Sequence, residues 1–474
     1  MSRQYDRIFL DGQWVAPHAS DTLEVLNPAS EIPIGSIPLA DEEDARRAVD
    51  SAAAALPGWA ATPLEERLEA LKALRNALLK ERQDLARLIA AEVGTPLPLS
   101  LQVQVGLPLR VIGDTVQTAE SFPWEETVRN SLVLHQPAGV AALITPWNFP
   151  LHQMIAKVAP AVAAGCTVVL KPSEVTPLVA YRLAEAVERA GWPPGVFNLL
   201  PGTGPSAGEA LVRDPRVSVI SFTGSTAAGR RVATVAAEGI KRVALELGGK
   251  SPSLVLDDAD LAAAVRHAAR SSFYNSGQTC SALTRLLVPR RSLAEAEAIA
   301  AEVADGTTVG DPLGEKPPAM GPVVSAAQRD RVRGYIQSGL DSGARLLCGG
   351  GEAPEGLERG FYVRPTVFSE VKPEMAIARE EIFGPVLSIL PYETQEEGIA
   401  LANASEYGLA AAVWSADAER AHRVARQLHS GQVDINGGRY NSLAPFGGFK
   451  HSGLGREFGA HGLREYLEVQ ALQR

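Results

Sequence analysis

Cysteine is scarce: the 474-residue chain has only Cys166, Cys280 and Cys348. An odd, widely spaced set excludes a disulfide framework. It leaves either inert buried thiols or one reactive thiol in a reducing compartment. Positive charge is also short, with 45 Lys and Arg against 55 Asp and Glu, a formal net charge of −10 and a pI of about 5.5. With no basic block, neither nucleic acid nor an anionic membrane surface is an expected partner. Long apolar runs are missing as well. The longest nearly uncharged one, Val158 to Leu170, contains Pro160 and is too short to span a bilayer. The opening Met1-Ser-Arg-Gln-Tyr-Asp has no hydrophobic signal core, so no export is expected and the reading is cytoplasmic. What remains is globular in kind, 46% apolar and 21% charged, and long enough for two or three domains.

The first forty residues read as short strands and turns. Leucines from Leu64 to Leu88 recur at helical spacing, which predicts one long helix over about Pro63 to Val93, closed by Gly94. From about residue 138 the pattern alternates strand, loop and helix. Strands are expected at Val140–Thr145, Cys166–Leu170, Val196–Leu200 and Val217–Phe222, with helices at His152–Ala163 and Thr176–Ala190 and another running to Ala237. Apolar strands separated by helix-length segments argue a parallel sheet buried on both faces, a doubly wound α/β arrangement whose ligands bind at the carboxyl ends of strands. A second α/β series begins after Gly248-Gly249, with a strand at Ser253–Leu256, a helix at Leu261–Phe273 and a strand at Leu286–Val288.

Four segments carry chemical interest. Cys280 sits between small residues in Asn275-Ser-Gly-Gln-Thr-Cys-Ser, where a ligand can approach it; Cys166 heads an apolar strand and Cys348 precedes three glycines. Glu246 places a carboxylate in the apolar run Val243-Ala-Leu-Glu-Leu, either desolvated and therefore basic, or on a solvated or ion-paired face. Phe222-Thr-Gly-Ser-Thr joins a buried strand to a helix start, which suits a phosphate or is only an N-cap. Lys171-Pro-Ser-Glu174 could hold ribose hydroxyls or lie on a solvated rim; lysine is uncommon here, nine of 45 basic residues.

Together these segments resemble the NAD(P)-dependent aldehyde dehydrogenase superfamily. The matching stretches are Thr145-Pro-Trp-Asn-Phe-Pro150, Lys171-Pro-Ser-Glu174, Phe222-Thr-Gly-Ser225 and Glu246-Leu-Gly-Gly-Lys-Ser-Pro252. They continue through Gly277-Gln-Thr-Cys280, Glu380-Glu-Ile-Phe-Gly-Pro385 and the stretch from Pro445 to Glu457. The resemblance implies a Rossmann-type dinucleotide-binding domain (1–118 and 137–247), an α/β catalytic domain (248–446) and a β-strand oligomerisation arm (119–136 and 447–474). It implies a homodimer or homotetramer, with the tail Leu467–Leu472 adding to a neighbouring subunit's sheet.

It further implies that Cys280 attacks an aldehyde carbon, that Glu246 activates the water that hydrolyses the resulting thioester, and that Asn148 and the Cys280 N–H form an oxyanion hole. Lys157 and Glu457 would relay a proton from Glu246 or form a buried ion pair. The cofactor residues would be Thr145, Pro146, Trp147, Lys171, Ser173, Glu174, Gly224, Ser225, Leu247, Gly248, Glu381 and Phe383. Glu174 disfavours a 2′-phosphate, so NAD is preferred while NADP remains possible; no metal is implied. His152, Gln153, Tyr274, Thr279, Arg439 and Tyr440 would line the aldehyde tunnel, making it wide and partly polar, suited to a bulky aromatic aldehyde or a functionalised semialdehyde. Two alternatives remain at this stage: a coenzyme-A-acylating dehydrogenase, which commonly lacks the base, and a non-catalytic relative that keeps only the fold.

Overall fold

The computed structural model describes residues 3–474 and is organised around two large sheets. The first has eight strands. Its five central members are parallel, in the spatial order Arg242–Glu246, Val217–Thr223, Val140–Ile144, Thr167–Lys171, Phe197–Leu199. Val140–Ile144 and Thr167–Lys171 are buried at every residue, as expected of strands covered by helices on both faces. Chain order runs outward in opposite directions from the boundary between Val140–Ile144 and Val217–Thr223. That boundary is the switch point at which such sheets open a crevice. Thr145–Asn148 and Gly224-Ser225 follow the two strands that flank it.

The second sheet has seven strands, parallel except for the edge strand Arg345–Cys348, and contains Pro252–Val255, Arg285–Pro289 and Ala410–Trp414. Two three-stranded sheets complete the chain. One joins Arg3–Gln4, Pro33–Pro38 and Thr22–Leu26; the other is antiparallel and joins Leu467–Gln473, Ser131–Pro137 and Glu125–Val128. The expected tail strand therefore forms, and it pairs with Ser131–Pro137 of its own chain. Slightly upstream, Gly453–Leu454 pairs with Leu245-Glu246 and edges the first sheet. No helix is long and apolar enough to cross a membrane among the described residues.

The helix after the first crevice strand, Pro150–Ala164, is buried along its whole length. Pro150 at its first turn has no N–H to satisfy, and Gly165 ends it with φ 92°. A helix buried all round is normally apolar all round, so His152, Gln153 and Lys157 on it are conspicuous.

Strand positions read from the sequence hold to within one or two residues, and Leu261–Phe273 is helical over its expected span. The long helix over Pro63 to Val93 is corrected. It is two helices, Leu64–Lys80 and Arg82–Val93, interrupted at Glu81, whose φ of −107° and ψ of 11° leave the helical region. The Glu81 carboxylate pairs there with Arg182 and Arg189 of the helix Leu178–Arg189, a tertiary contact that leucine spacing does not encode.

Candidate active site

After the helix Leu261–Phe273 and its cap Tyr274 come three residues with left-handed backbone, Asn275 (φ 50°), Ser276 (φ 58°) and Gly277 (φ 73°). This turn presses Gly277 against Gly384: a Cβ added to Gly277 would stand 2.1 Å from the Gly384 carbonyl carbon. It brings Cys280 to the junction of two cavities. The cavity on the crevice side holds about 250 Å³ and the other about 390 Å³. Among the described residues, Cys280 and Gln153 alone line both.

Asn148 is buried and lines the crevice-side cavity beside Cys280. Its side-chain amide donates to the Gln278 carbonyl at 3.0 Å, which leaves the second amide N–H for a ligand. Its backbone carbonyl accepts from Gln104 Nε2 at 2.9 Å and Asn275 Nδ2 at 3.0 Å. Gln104 also donates to Thr95 Oγ1 at 3.2 Å, and Thr95 donates to Asn275 Oδ1 at 2.6 Å. Sequence reading missed this buried network. Its members lie far apart in the chain and bond through backbone groups, so no local motif announces them.

Glu246 ends its strand 4% exposed, with both carboxylate oxygens buried and unpartnered. It lines neither cavity. Gly447 leaves room for it, since a Cβ there would lie 2.6 Å from Oε1. Burial, then the Glu457 charge, hold its carboxyl well above the ordinary carboxylate range against the opposing pull of Lys157 and Arg456. Lys157 donates to Glu457 at 2.6 Å and to Ser221 Oγ at 3.0 Å. Burial, with the Glu381, Glu246 and Glu457 carboxylates adding to it, pushes the Cys280 thiol up to about 12. Cys166 is buried, donates to the Tyr466 carbonyl at 3.3 Å and is pushed up to about 11 by burial; Cys348 is half-buried in an edge strand.

The crevice-side cavity gathers Pro146, Trp147, Gly224, Ser225, Leu247, Gly248, Glu381 and Phe383 with Cys280. Trp147 meets Phe383 edge-on at 5.3 Å, and Phe383 itself has a φ of 61°. Glu381 accepts the Gly249 N–H at 3.0 Å, and burial pushes its carboxyl up to about 7. Ser225 caps the helix Thr226–Glu238 by accepting from the Ala228 N–H, so the N-cap reading and the cavity-lining reading hold together. Thr145 is buried with its hydroxyl unpartnered, and its N–H bonds the Lys171 carbonyl at 3.1 Å. Gln328 and Arg331, which carry no motif, also line this cavity. Spaced one turn apart, they donate to the Phe383 and Glu381 carbonyls at 2.8 and 2.6 Å.

Lys171, Ser173 and Glu174 lie outside that cavity. Lys171 donates to Glu174 at 3.1 Å, and Ser173 Oγ accepts the Val175 N–H. Lys171 borders a separate apolar slot of about 250 Å³ lined by Pro205, Gly208, Val232 and others; a Cβ on Gly208 would come within 3.7 Å of Lys171. An apolar slot, a lysine–carboxylate pair, a helix N-terminus and a cavity with two aromatic rings are surfaces able to hold the parts of a dinucleotide.

On the other side of Cys280, His152 (7% exposed) stacks on Phe458 at 5.6 Å; burial, with Lys157 adding to it, pushes its imidazole down to about 4. His152 Nδ1, Gln153 Oε1 and Thr279 Oγ1 are buried without partners. Tyr274 stacks on Phe149, and Tyr440 meets Phe458 edge-on. All of these except Arg439 gather round the larger cavity. Arg439 is exposed and lines neither one, because the loop turns it outward while Tyr440 turns in.

Comparisons with known proteins agree with this geometry. The profile of the aldehyde dehydrogenase family matches residues 14–472. A 3-succinoylsemialdehyde-pyridine dehydrogenase of a Pseudomonas species is 47% identical over 99% of this chain and 98% of its own length. A mutant aldehyde dehydrogenase C of Pseudomonas syringae, solved with NAD+ and octanal, is 45% identical and superposes with a TM-score of 0.98, covering 99% of this chain and 96% of that one. The Mycobacterium tuberculosis aldehyde dehydrogenase solved with NAD+ is 40% identical with a TM-score of 0.97, covering 100% and 99%. The chain belongs to the aldehyde dehydrogenase family of NAD(P)-dependent oxidoreductases, which convert aldehydes to carboxylic acids.

Proposed function

We propose that Cys280 is the nucleophile and Glu246 the general base of this oxidation. The observation that carries the reading is the placement of Cys280 where the two cavities meet, beside an Asn148 amide with one N–H uncommitted. The Cys280 thiol gives up its proton to solvent as its sulfur adds to the aldehyde carbon, and the carbonyl electron pair moves to oxygen. The Asn148 amide stabilises that oxyanion, an interaction typically worth about 3 kcal/mol. A dinucleotide bound in the crevice supplies the hydride acceptor. Glu246, raised and unpartnered, takes a proton from the water that attacks the resulting thioester carbon, and the Cys280 sulfur departs with the acyl bond's electron pair. Lys157 and Glu457, bonded to each other at 2.6 Å, would relay its proton onward or serve as a buried ion pair. A buried carboxylate with no structural partner favours hydrolysis over acyl transfer to coenzyme A.

Ser225 and Trp147 would face the pyrophosphate, Lys171 and Glu174 the adenosine ribose, and Glu381 and Phe383 the nicotinamide riboside. The Lys171–Glu174 pair supports NAD over NADP, because a 2′-phosphate would meet the carboxylate. The aromatic and polar lining of the larger cavity supports a bulky aromatic aldehyde or functionalised semialdehyde, a class that the 47%-identical relative's name also suggests.

The dinucleotide unit would comprise 1–118 and 137–247, the catalytic unit 248–446, and the arm 119–136 and 447–474. A homodimer or homotetramer would use the tail strand, whose outer edge pairs with no strand among the described residues. Three free cysteines agree with a cytoplasmic setting. Replacing Cys280 by alanine should abolish NADH formation while NAD binding, read by calorimetry, survives; unchanged turnover overturns the mechanism.

A further inference from the structure

The larger cavity has room for a ring-sized ligand, and its aromatic walls fall into two groups. Phe149 and Tyr274 stack on each other at 6.4 Å; Tyr440 and Phe458 meet edge-on at 6.3 Å. Among the described residues, two charged side chains line it, Glu457 and Arg110. Glu457 is neutralised by Lys157 at 2.6 Å. Arg110 is exposed and makes no hydrogen bond or ion pair among the described residues. It follows Leu107 by one turn on the helix Gly106–Ser121, so both face the same cavity. The acid one turn further, Asp114, accepts the Ser442 hydroxyl instead of pairing with Arg110. The cavity therefore brings together aromatic rings, the Cys280 thiol and an uncompensated guanidinium.

We propose that Arg110 anchors a carboxylate at the far end of the substrate, so that the preferred substrates are aryl aldehydes bearing a distal carboxylate. A guanidinium presents a planar pair of donors matched to a carboxylate, and the rings would hold the spacer between anchor and thiol. The inference rests on Cys280 being the nucleophile, because that fixes which end of the substrate points inward.

The test compares 4-carboxybenzaldehyde and 3-(4-formylphenyl)propanoate with their methyl esters, in the full-length enzyme, Arg110→Ala and Arg110→Lys. For at least one spacer length, the acid should exceed its ester in kcat/KM by about tenfold at low salt, a single charge-assisted contact's worth. The gain should reside in KM, shrink as salt rises, fall to about one in Arg110→Ala and persist in part in Arg110→Lys. Equal values for acid and ester in the unsubstituted enzyme, or a ratio that survives Arg110→Ala, overturns the proposal. NADH formation persisting in Cys280→Ala would instead overturn the catalytic reading, whatever the acid-to-ester ratio.

Discussion

Gln104 donates its side-chain amide to the backbone carbonyl of Asn148 at 2.9 Å, from a π-helical segment, Ser100–Val105, whose Gln102 and Val103 line the larger cavity. Single-turn π segments recur at functional positions because they aim one side chain out of helical register. Here the result is an Asn148 held through three bonds, two to its carbonyl and one from its amide. Replacing Gln104 by alanine should lower the rate of hydride transfer about tenfold, since a loosely held oxyanion donor is worth far less than a fixed one. Stopped-flow NADH fluorescence measures the rate, and an NAD titration should show unchanged affinity.

Glu246→Gln separates the two halves of the reaction. A first turnover should still release about one NADH per active site, seen as a burst, while steady-state turnover falls at least about a hundredfold. The pH dependence has a definite sign. A base acts ionised, so wild-type deacylation should rise with pH through a pKa lying above the ordinary carboxylate range, and the glutamine variant should lose that limb.

Glu92 is fully buried and accepts the N–H groups of Leu178 and Val179, the first residues of the helix beyond the Lys171–Glu174 segment. Burial pushes its carboxyl up to about 8. Between the ordinary carboxylate value and about 8, the folded state keeps a proton that the unfolded chain has released. Stability contributed by this group therefore falls as pH rises across that window and levels off above it. Melting temperatures from pH 5 to 9 should show the decline in wild type. Glu92→Gln should be less stable at pH 5, having lost one acceptor, and should close the gap by pH 9.

Gly277→Ala should be severe. The backbone there has a φ of 73°, and the new methyl would stand 2.1 Å from the Gly384 carbonyl carbon. Together, strain and displaced backbone cost about 2–4 kcal/mol, to be read from denaturant unfolding. Activity should fall further than stability, because the same turn sets Cys280 between its two cavities.

Much of this was legible in sequence where function is written in local runs. Glu246 and Cys280 stand out in short local runs, each with a plain structural alternative, Trp147 and Phe383 are marked only by the family resemblance, and hydrophobic runs located most strands. What was illegible acts across the chain through backbone atoms. Gln104 reaches a carbonyl at position 148, and Gln328 and Arg331 reach carbonyls at 383 and 381; any residue type can offer those acceptors. The break at Glu81 was hidden likewise, since the arginines that draw its carboxylate lie on another helix. Arg439 misled because proximity in sequence to Tyr440 does not say which way a loop side chain turns.

Among the described residues, the two cavities meet only at Cys280 and Gln153. On the proposed reading traffic at this centre would be two-way: aldehyde would enter and acid leave through one cavity, while the dinucleotide would use the other. Neither visitor would have to clear the other's corridor. While the acyl group was still tethered to sulfur, the spent carrier would have its own cavity to leave by, and the vacated space would admit solvent for the second half of the cycle.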